Sequence, residues 1–84
     1  MKVLIQRYMD DGYGQIHLVE EGVFGKDLFE QITKAESEYD IYELLVGFVP
    51  ETDIDLNSIG NPNGYGNVTD EFRIWVDGEH YKTV

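Results

Sequence analysis

The stretch FRIWVDGEHYKTV, residues 72 to 84, constrains the fold more than any other part of the chain. Asp-Gly at 77 and 78 supplies the two residues that tolerate positive φ in a tight hairpin turn. The β-branched and aromatic residues on either side fit a pleated, half-buried surface. A second stretch carries the same signals. From Lys2 to Met9 side chains alternate, with Val3, Ile5, Arg7 and Met9 on one face and Leu4, Gln6 and Tyr8 on the other. Asp10 to Gly14 is turn chemistry, with a second Asp-Gly at 11 and 12. Gln15 to Glu20 alternates again, Ile16 and Leu18 facing one way and His17 and Val19 the other. Residues 2 to 20 therefore read as one β-hairpin and residues 72 to 84 as another. A chain with hairpins at both ends must build an antiparallel sheet and cover it with what lies between.

Between them, Leu28, Phe29, Ile32 and Ala35 recur at helical spacing, and Lys26, Asp27, Glu30, Gln31 and Lys34 fill the other side. Asp27 and Glu30 sit in the first turn, where the helix dipole favours negative charge. The spacing predicts a helix over about 26–37. The next segment, DIYELLVGFVP (40–50), is compatible with a helix through Tyr39, Tyr42 and Leu45 or with a strand. Its β-branched and aromatic content, internal Gly47 and closing Pro50 favour a buried central strand. Residues 50–70, PETDIDLNSIGNPNGYGNVTD, read as a long acidic connection rich in Gly and Asn. Connections of this length inside a small domain usually carry function. The expectation is a single α+β domain over residues 1–84: a small antiparallel sheet in β-β-α-β-β-β order with one helix packed on a face.

Eighty-four residues with 42% apolar and 13% aromatic content suffice for one small core. The chain has no Cys, so neither disulfides nor thiolate metal sites are available. The run MKVLIQRYMDD is too short for the apolar region of a secretory signal, and no apolar stretch approaches a membrane span. A secreted domain of this size would usually want staples. The sequence reads as cytoplasmic.

Charge narrows the function classes. Seventeen acids against six bases give a net charge of −11. Lys34 is the last base before Arg73, and Glu36, Glu38, Asp40, Glu43, Glu51, Asp53, Asp55, Asp70 and Glu71 lie between them. A field of one sign repels nucleic acid and anionic membrane and attracts basic surfaces. Direct nucleic-acid binding and a lipid-surface role are both disfavoured.

Several motifs resemble catalytic or metal-binding signatures and fail on context. Tyr8-Met9-Asp10-Asp11 spells the catalytic turn of reverse transcriptases, and it does fall at a hairpin turn. Polymerase chemistry also needs many bases to hold a duplex and room for further subdomains, and this chain has few bases, a repulsive field and no such room. Asp53, Asp55 and Asn57 match three positions of an EF-hand loop, but Ser58 replaces the required Gly and Gly64 replaces the bidentate Glu. His17 and Glu20 would pair only on a helix; on a regular strand they point to opposite faces. GNPNGYGN (60–67) lacks the Lys and hydroxyl of a phosphate loop, and Asn67-Val68-Thr69 is a glycosylation sequon only in a secretory context. With two His, two Ser and no Cys, a nucleophile-plus-base arrangement is barely constructible. No enzyme, cofactor or metal is expected.

An acidic surface can serve solubility alone. The complete absence of bases from 35 to 72, beside a Tyr-bearing loop, favours a sharper reading. Acids around an aromatic centre grip a basic partner and steer its approach. The expected partner is a basic protein, a nuclease or another nucleic-acid-binding protein. The expected binding residues are Glu36, Glu38, Asp40, Glu51, Asp53, Asp55, Tyr65, Asp70 and Glu71, with Tyr13 a further exposed aromatic. Nuclease immunity proteins and phage anti-defence proteins of the anti-CRISPR kind share this size and charge, an analogy of class with no motif behind it. The competing reading is a non-catalytic structural or assembly module that self-associates through sheet edges or apolar patches.

Overall fold

Strand β1 (Val3–Asp10) buries every second side chain, as its sequence alternation requires. Val3, Ile5, Arg7 and Met9 face inward, and Leu4, Gln6, Tyr8 and Asp10 are half-buried on the outer side. In this computed structural model, residues 1–10, 15–50 and 70–84 are described, with Asp70 described by its backbone alone. Strand β2 (Ile16–Phe24) pairs antiparallel with β1, which forms the expected first hairpin. Its turn at 11–14 lies outside the described residues.

Helix α1 (Lys26–Lys34) packs Leu28 and Ile32 into the core and stops short of the expected residue 37. Ala35 leaves the helical conformation, and Ser37 opens a second helix, α2 (Glu38–Phe48). Residues 40–48 of the 40–50 segment are therefore helix where a central strand was expected. Two causes outweigh the local strand preferences of the segment. Ile41, Leu45 and Val49 are buried while Glu43 among them is exposed, which a helix allows and a strand does not. The Ser37 hydroxyl accepts the Asp40 N–H at 3.1 Å, satisfying one of the orphan donors of the first turn. The Val49 N–H closes the far end onto Leu45 O, and Pro50 follows.

Strand β3 (Asp70–Val76) pairs with β1, and β4 (Glu79–Thr83) pairs with β3. The turn between them has φ of 50° at Asp77 and 87° at Gly78. Both are positive, as the mirror-image hairpin turn demands and as the Asp-Gly pair allows. The sheet order is β2-β1-β3-β4, antiparallel throughout, and the chain order is β-β-α-α-β-β. The fold is α+β, as expected, with two helices in place of one.

One core joins sheet and helices: Val3, Ile5, Phe72 and Ile74 meet Leu28, Ile32, Ile41, Leu45 and Val49. Edge-on ring contacts seal its margins, Phe24 to Phe48, Phe29 to Tyr81 and Tyr42 to Phe72. Among the described residues no helix is long and apolar enough to cross a membrane. Both helices belong to the side of the sheet that buries Val3, Ile5, Phe72 and Ile74. The other face, where Leu4, Tyr8 and Trp75 lie, is not part of that core.

A register shift between Arg7 and Tyr8 inserts an extra residue, Val19, into β2. Arg7 then opposes Glu20 and Met9 opposes His17, so His17 and Glu20 both stand on the inner side. The expected alternation placed them on opposite faces. The bulge resets that parity.

Candidate acidic site and open sheet face

The start of α2 gathers four carboxylates and a tyrosine in the open. Glu36, Glu38, Asp40 and Glu43 are all exposed, and Tyr39 beside them is 68% exposed. Helical geometry follows from the apolar positions: burying Ile41 and Leu45 turns residues 39, 40 and 43 outward. Glu38, Asp40 and Glu43 span about 7.5 Å of helix axis at about 1.5 Å per residue. Asp40 and Glu43 share the outward side with Tyr39, while Glu38, two residues before Asp40, points well around the helix from it. The Tyr39 hydroxyl donates to Glu43 one turn on, and this bond raises the phenol pKa above its ordinary value, helped by the Glu43 charge. The nearest base in sequence is Lys34, in the last turn of α1.

Of the residues expected to bind a partner, Glu36, Glu38 and Asp40 are brought together here. Glu71 is not with them. It stands on the outer face of β3, where its Oε2 accepts the Arg73 Nε–H at 2.7 Å and so holds the guanidinium in its charged form. Asp70 pairs through its backbone with Met9, and Glu51, Asp53, Asp55 and Tyr65 lie outside the described residues, as does Tyr13. The residue that sequence reasoning missed is Tyr39. Reading the segment as a buried strand hid it, whereas Ser37 followed by Asp40 three positions on, ahead of the apolar run IYELLV, is the signature of a helix start.

The acids at the head of α2 also have a structural role, because negative charge complements the positive end of the helix dipole. That role needs one or two carboxylates in the first turn. It does not account for Glu36, which precedes the helix, or for Glu43, which lies beyond the first turn.

The opposite face of the sheet has a different chemistry. Trp75 donates its Nε1–H to Gln6 Oε1 at 2.9 Å, and Gln6 donates in turn to Glu21 Oε2 at 3.2 Å. Arg73 lies over the Tyr8 ring at 4.1 Å. Around this network stand Ile16, Leu18 and Val23, which are 49%, 47% and 60% exposed.

A hydroxyl–imidazole contact exists between His80 Nε2 and Thr83 Oγ1 at 2.8 Å, but both residues are exposed on an edge strand and nothing excludes water from them. An open concavity of about 430 Å³ by the β3–β4 turn is lined by Val76, Asp77, Glu79, His80 and Tyr81. Asp77 in it already accepts the Lys2 N–H at 2.8 Å, which ties the turn to the start of β1. Among the described residues no group of three or more His, Asp or Glu side chains is placed to hold a metal ion.

Comparison with family models, with curated proteins and with solved structures finds no match for this chain. The functional reading rests on the chemistry of its own surfaces.

Proposed function

We propose that the chain is a small, non-catalytic acidic binding protein, acting in the cytoplasm, that inhibits a basic protein by occupying the surface where that partner holds nucleic acid. The observation that carries the reading is the head of α2. There Glu36, Glu38, Asp40 and Glu43 lie beside an exposed Tyr39 within a segment that has no Lys or Arg from 35 to 72. The carboxylates stand in for phosphates, and Tyr39 supplies the flat, low-entropy contact that anchors many interfaces. The same ring face suits stacking against the Arg and Lys side chains that line nucleic-acid clefts. Glu51, Asp53, Asp55, Tyr65 and Asp70 join the proposal from the sequence, as continuations of the same base-free run.

The partner class is a nuclease or other nucleic-acid-handling protein, which would place the chain beside anti-defence or immunity proteins in mode of action. Binding is by competition, and the acidic field accelerates encounter at low ionic strength. Neither nucleic acid nor an anionic membrane is a direct ligand in this reading.

The test is capture by the tagged chain from cell lysate at low and high salt, read by mass spectrometry. A variant carrying Glu36→Gln, Glu38→Gln, Asp40→Asn and Glu43→Gln runs beside it. Neutral substitutions remove charge without placing cations at the helix N-terminus, so far-UV circular dichroism should be unchanged. A basic nucleic-acid-binding protein that is retained at low salt, and lost with salt and with the variant, supports the reading. Retention indifferent to both would refute it.

A further inference from the structure

The outer face of the sheet mixes exposed apolar side chains with polar groups that bond to one another. Along β1 it presents Leu4, Gln6, Tyr8 and Asp10, along β2 Ile16, Leu18, Glu21 and Val23, and along β3 Glu71, Arg73 and Trp75. The bulge at Val19 is what keeps Glu21 and Val23 on this side with Ile16 and Leu18. Four acids, Asp10, Glu21, Glu71 and Asp77, stand beside two bases, Lys2 and Arg73, so the face carries only a small part of the chain's −11.

Six of its polar or aromatic side chains, Gln6, Tyr8, Glu21, Glu71, Arg73 and Trp75, are joined to one another. Trp75 donates to Gln6, Gln6 to Glu21, and Arg73 to Glu71 while stacking on Tyr8. A face whose donors and acceptors are paired in place can be covered without stranding a charge. What it offers a neighbour is apolar contact. That argues against a stacked nucleic-acid strand, which would need free cations along its backbone.

We propose that this face is a homodimer interface, occupied by the same face of a second copy. Three features support self-pairing. First, strands of 8, 9, 7 and 5 residues, at about 3.3 Å along and about 4.8 Å across each residue, give a face of roughly 460 Å² in projection. Two such faces bury roughly 900 Å² together, the size of a weak, reversible interface. Second, the face carries both halves of an isologous fit. Leu18 and Val23 stand out as knobs, and a notch of about 150 Å³ lies among Lys2, Leu4, Trp75 and Gly78. Third, the helix-side acids Glu36, Glu38, Asp40 and Glu43 lie on elements packed against the other side of the sheet. Pairing through the outer face therefore keeps them apart. The product is a four-layer α/β/β/α sandwich with Trp75 in its middle, each copy presenting its α2 acids outward.

Trp75 is the single tryptophan, so it reports on this interface directly. The experiment measures sedimentation equilibrium and Trp75 emission over a wide concentration range for the wild type and for Leu18→Glu/Val23→Glu. Both substituted side chains are about half exposed in the protomer, and unchanged far-UV circular dichroism establishes that the variant folds. The wild type should dimerise with a blue shift and reduced acrylamide quenching as concentration rises. The variant should lose at least about tenfold in association. Added salt should strengthen the dimer by screening repulsion between acidic copies, opposite to its effect on partner capture. The neutralised α2 variant of the preceding section should dimerise at least as well as the wild type, which separates the two proposals. A wild type that stays monomeric throughout, or a dimer whose Trp75 emission is constant and which survives Leu18→Glu/Val23→Glu, overturns the inference.

Discussion

Arg7 is 4% exposed, yet it lies in a row with Val3, Ile5 and Met9. Its Nη1 donates to Val49 O at 3.0 Å, and its guanidinium stands 5.2 Å from the Phe72 ring centre. Glu20 occupies the opposing position on β2. The charge is thus held where the carbonyl at the end of α2 would otherwise lack a donor. Arg7→Ala should destabilise the fold by about 2 to 4 kcal/mol, since it removes packing and strands a buried acceptor. Arg7→Lys should fall between, because an ammonium lacks the planar fork that can bond a carbonyl and lie over a ring together. Urea denaturation measures both, and a wild-type midpoint for Arg7→Ala would remove the clamp from the account. On the surface, Tyr39 offers a pH test. Its phenol pKa is raised by the Glu43 hydrogen bond, so folded protein keeps that proton to higher pH than unfolded chain does. The contribution of the bond is complete below the ordinary tyrosine pKa and disappears as pH rises through the folded value. Glu43→Gln should shift one phenolate titration downward in a wild-type-minus-variant absorbance difference, leaving the other tyrosines in place.

At the level of elements, the hairpins and α1 were legible and α2 was not. Period-two alternation and Asp-Gly pairs are local signals, and they place all four strands. Ile41, Leu45 and Val49 carry a helical period as well, but Val46, Phe48, Gly47 and Pro50 pull the local reading toward a strand. Tertiary burial decides, because a strand would set Glu43 on the same face as Ile41, Leu45 and Val49, whereas a helix packs those three against Phe72 and Ile74 and turns Glu43 to solvent. The capping pair Ser37 and Asp40 was the clue that could have broken the tie. The bulge at Val19 leaves no mark in composition, so the side change of Glu20 was not readable. Nor was the partner of Arg7, which is 42 residues away. Of the expected acidic site, the cluster at 36–40 was legible as charge, while its tyrosine was hidden by the wrong element. Two element-scale outcomes follow. Ser37→Ala should cost about 1 kcal/mol by losing the cap of α2, visible as a lowered thermal midpoint. Gly78→Val, at φ +87°, should cost about 1 to 2 kcal/mol through a strained turn. If either substitution is silent, the corresponding element end is not held as described.

Across the whole molecule, the fold separates two surfaces. The helix side carries the acids of α2 beside Tyr39, and the sheet side carries exposed apolar side chains with a bonded polar network around Trp75. A single sheet with helices on one side produces this division, since each strand sends alternate residues to each surface. The α2 acids on the helix side present a field to a basic partner, while the acids of the sheet side lie among bases and apolar side chains. The two surfaces should answer salt in opposite senses, and the α2 substitutions should change partner binding without changing the far-UV spectrum. The central claim is competition for a basic nucleic-acid-binding surface. Its most direct test is fluorescence anisotropy of a labelled oligonucleotide bound to the captured partner, titrated with wild-type chain and with the Glu36→Gln/Glu38→Gln/Asp40→Asn/Glu43→Gln variant. The account expects the wild type to release the oligonucleotide at low salt and the variant to release it far less readily. A ternary complex that keeps the oligonucleotide bound at saturating wild type would contradict it.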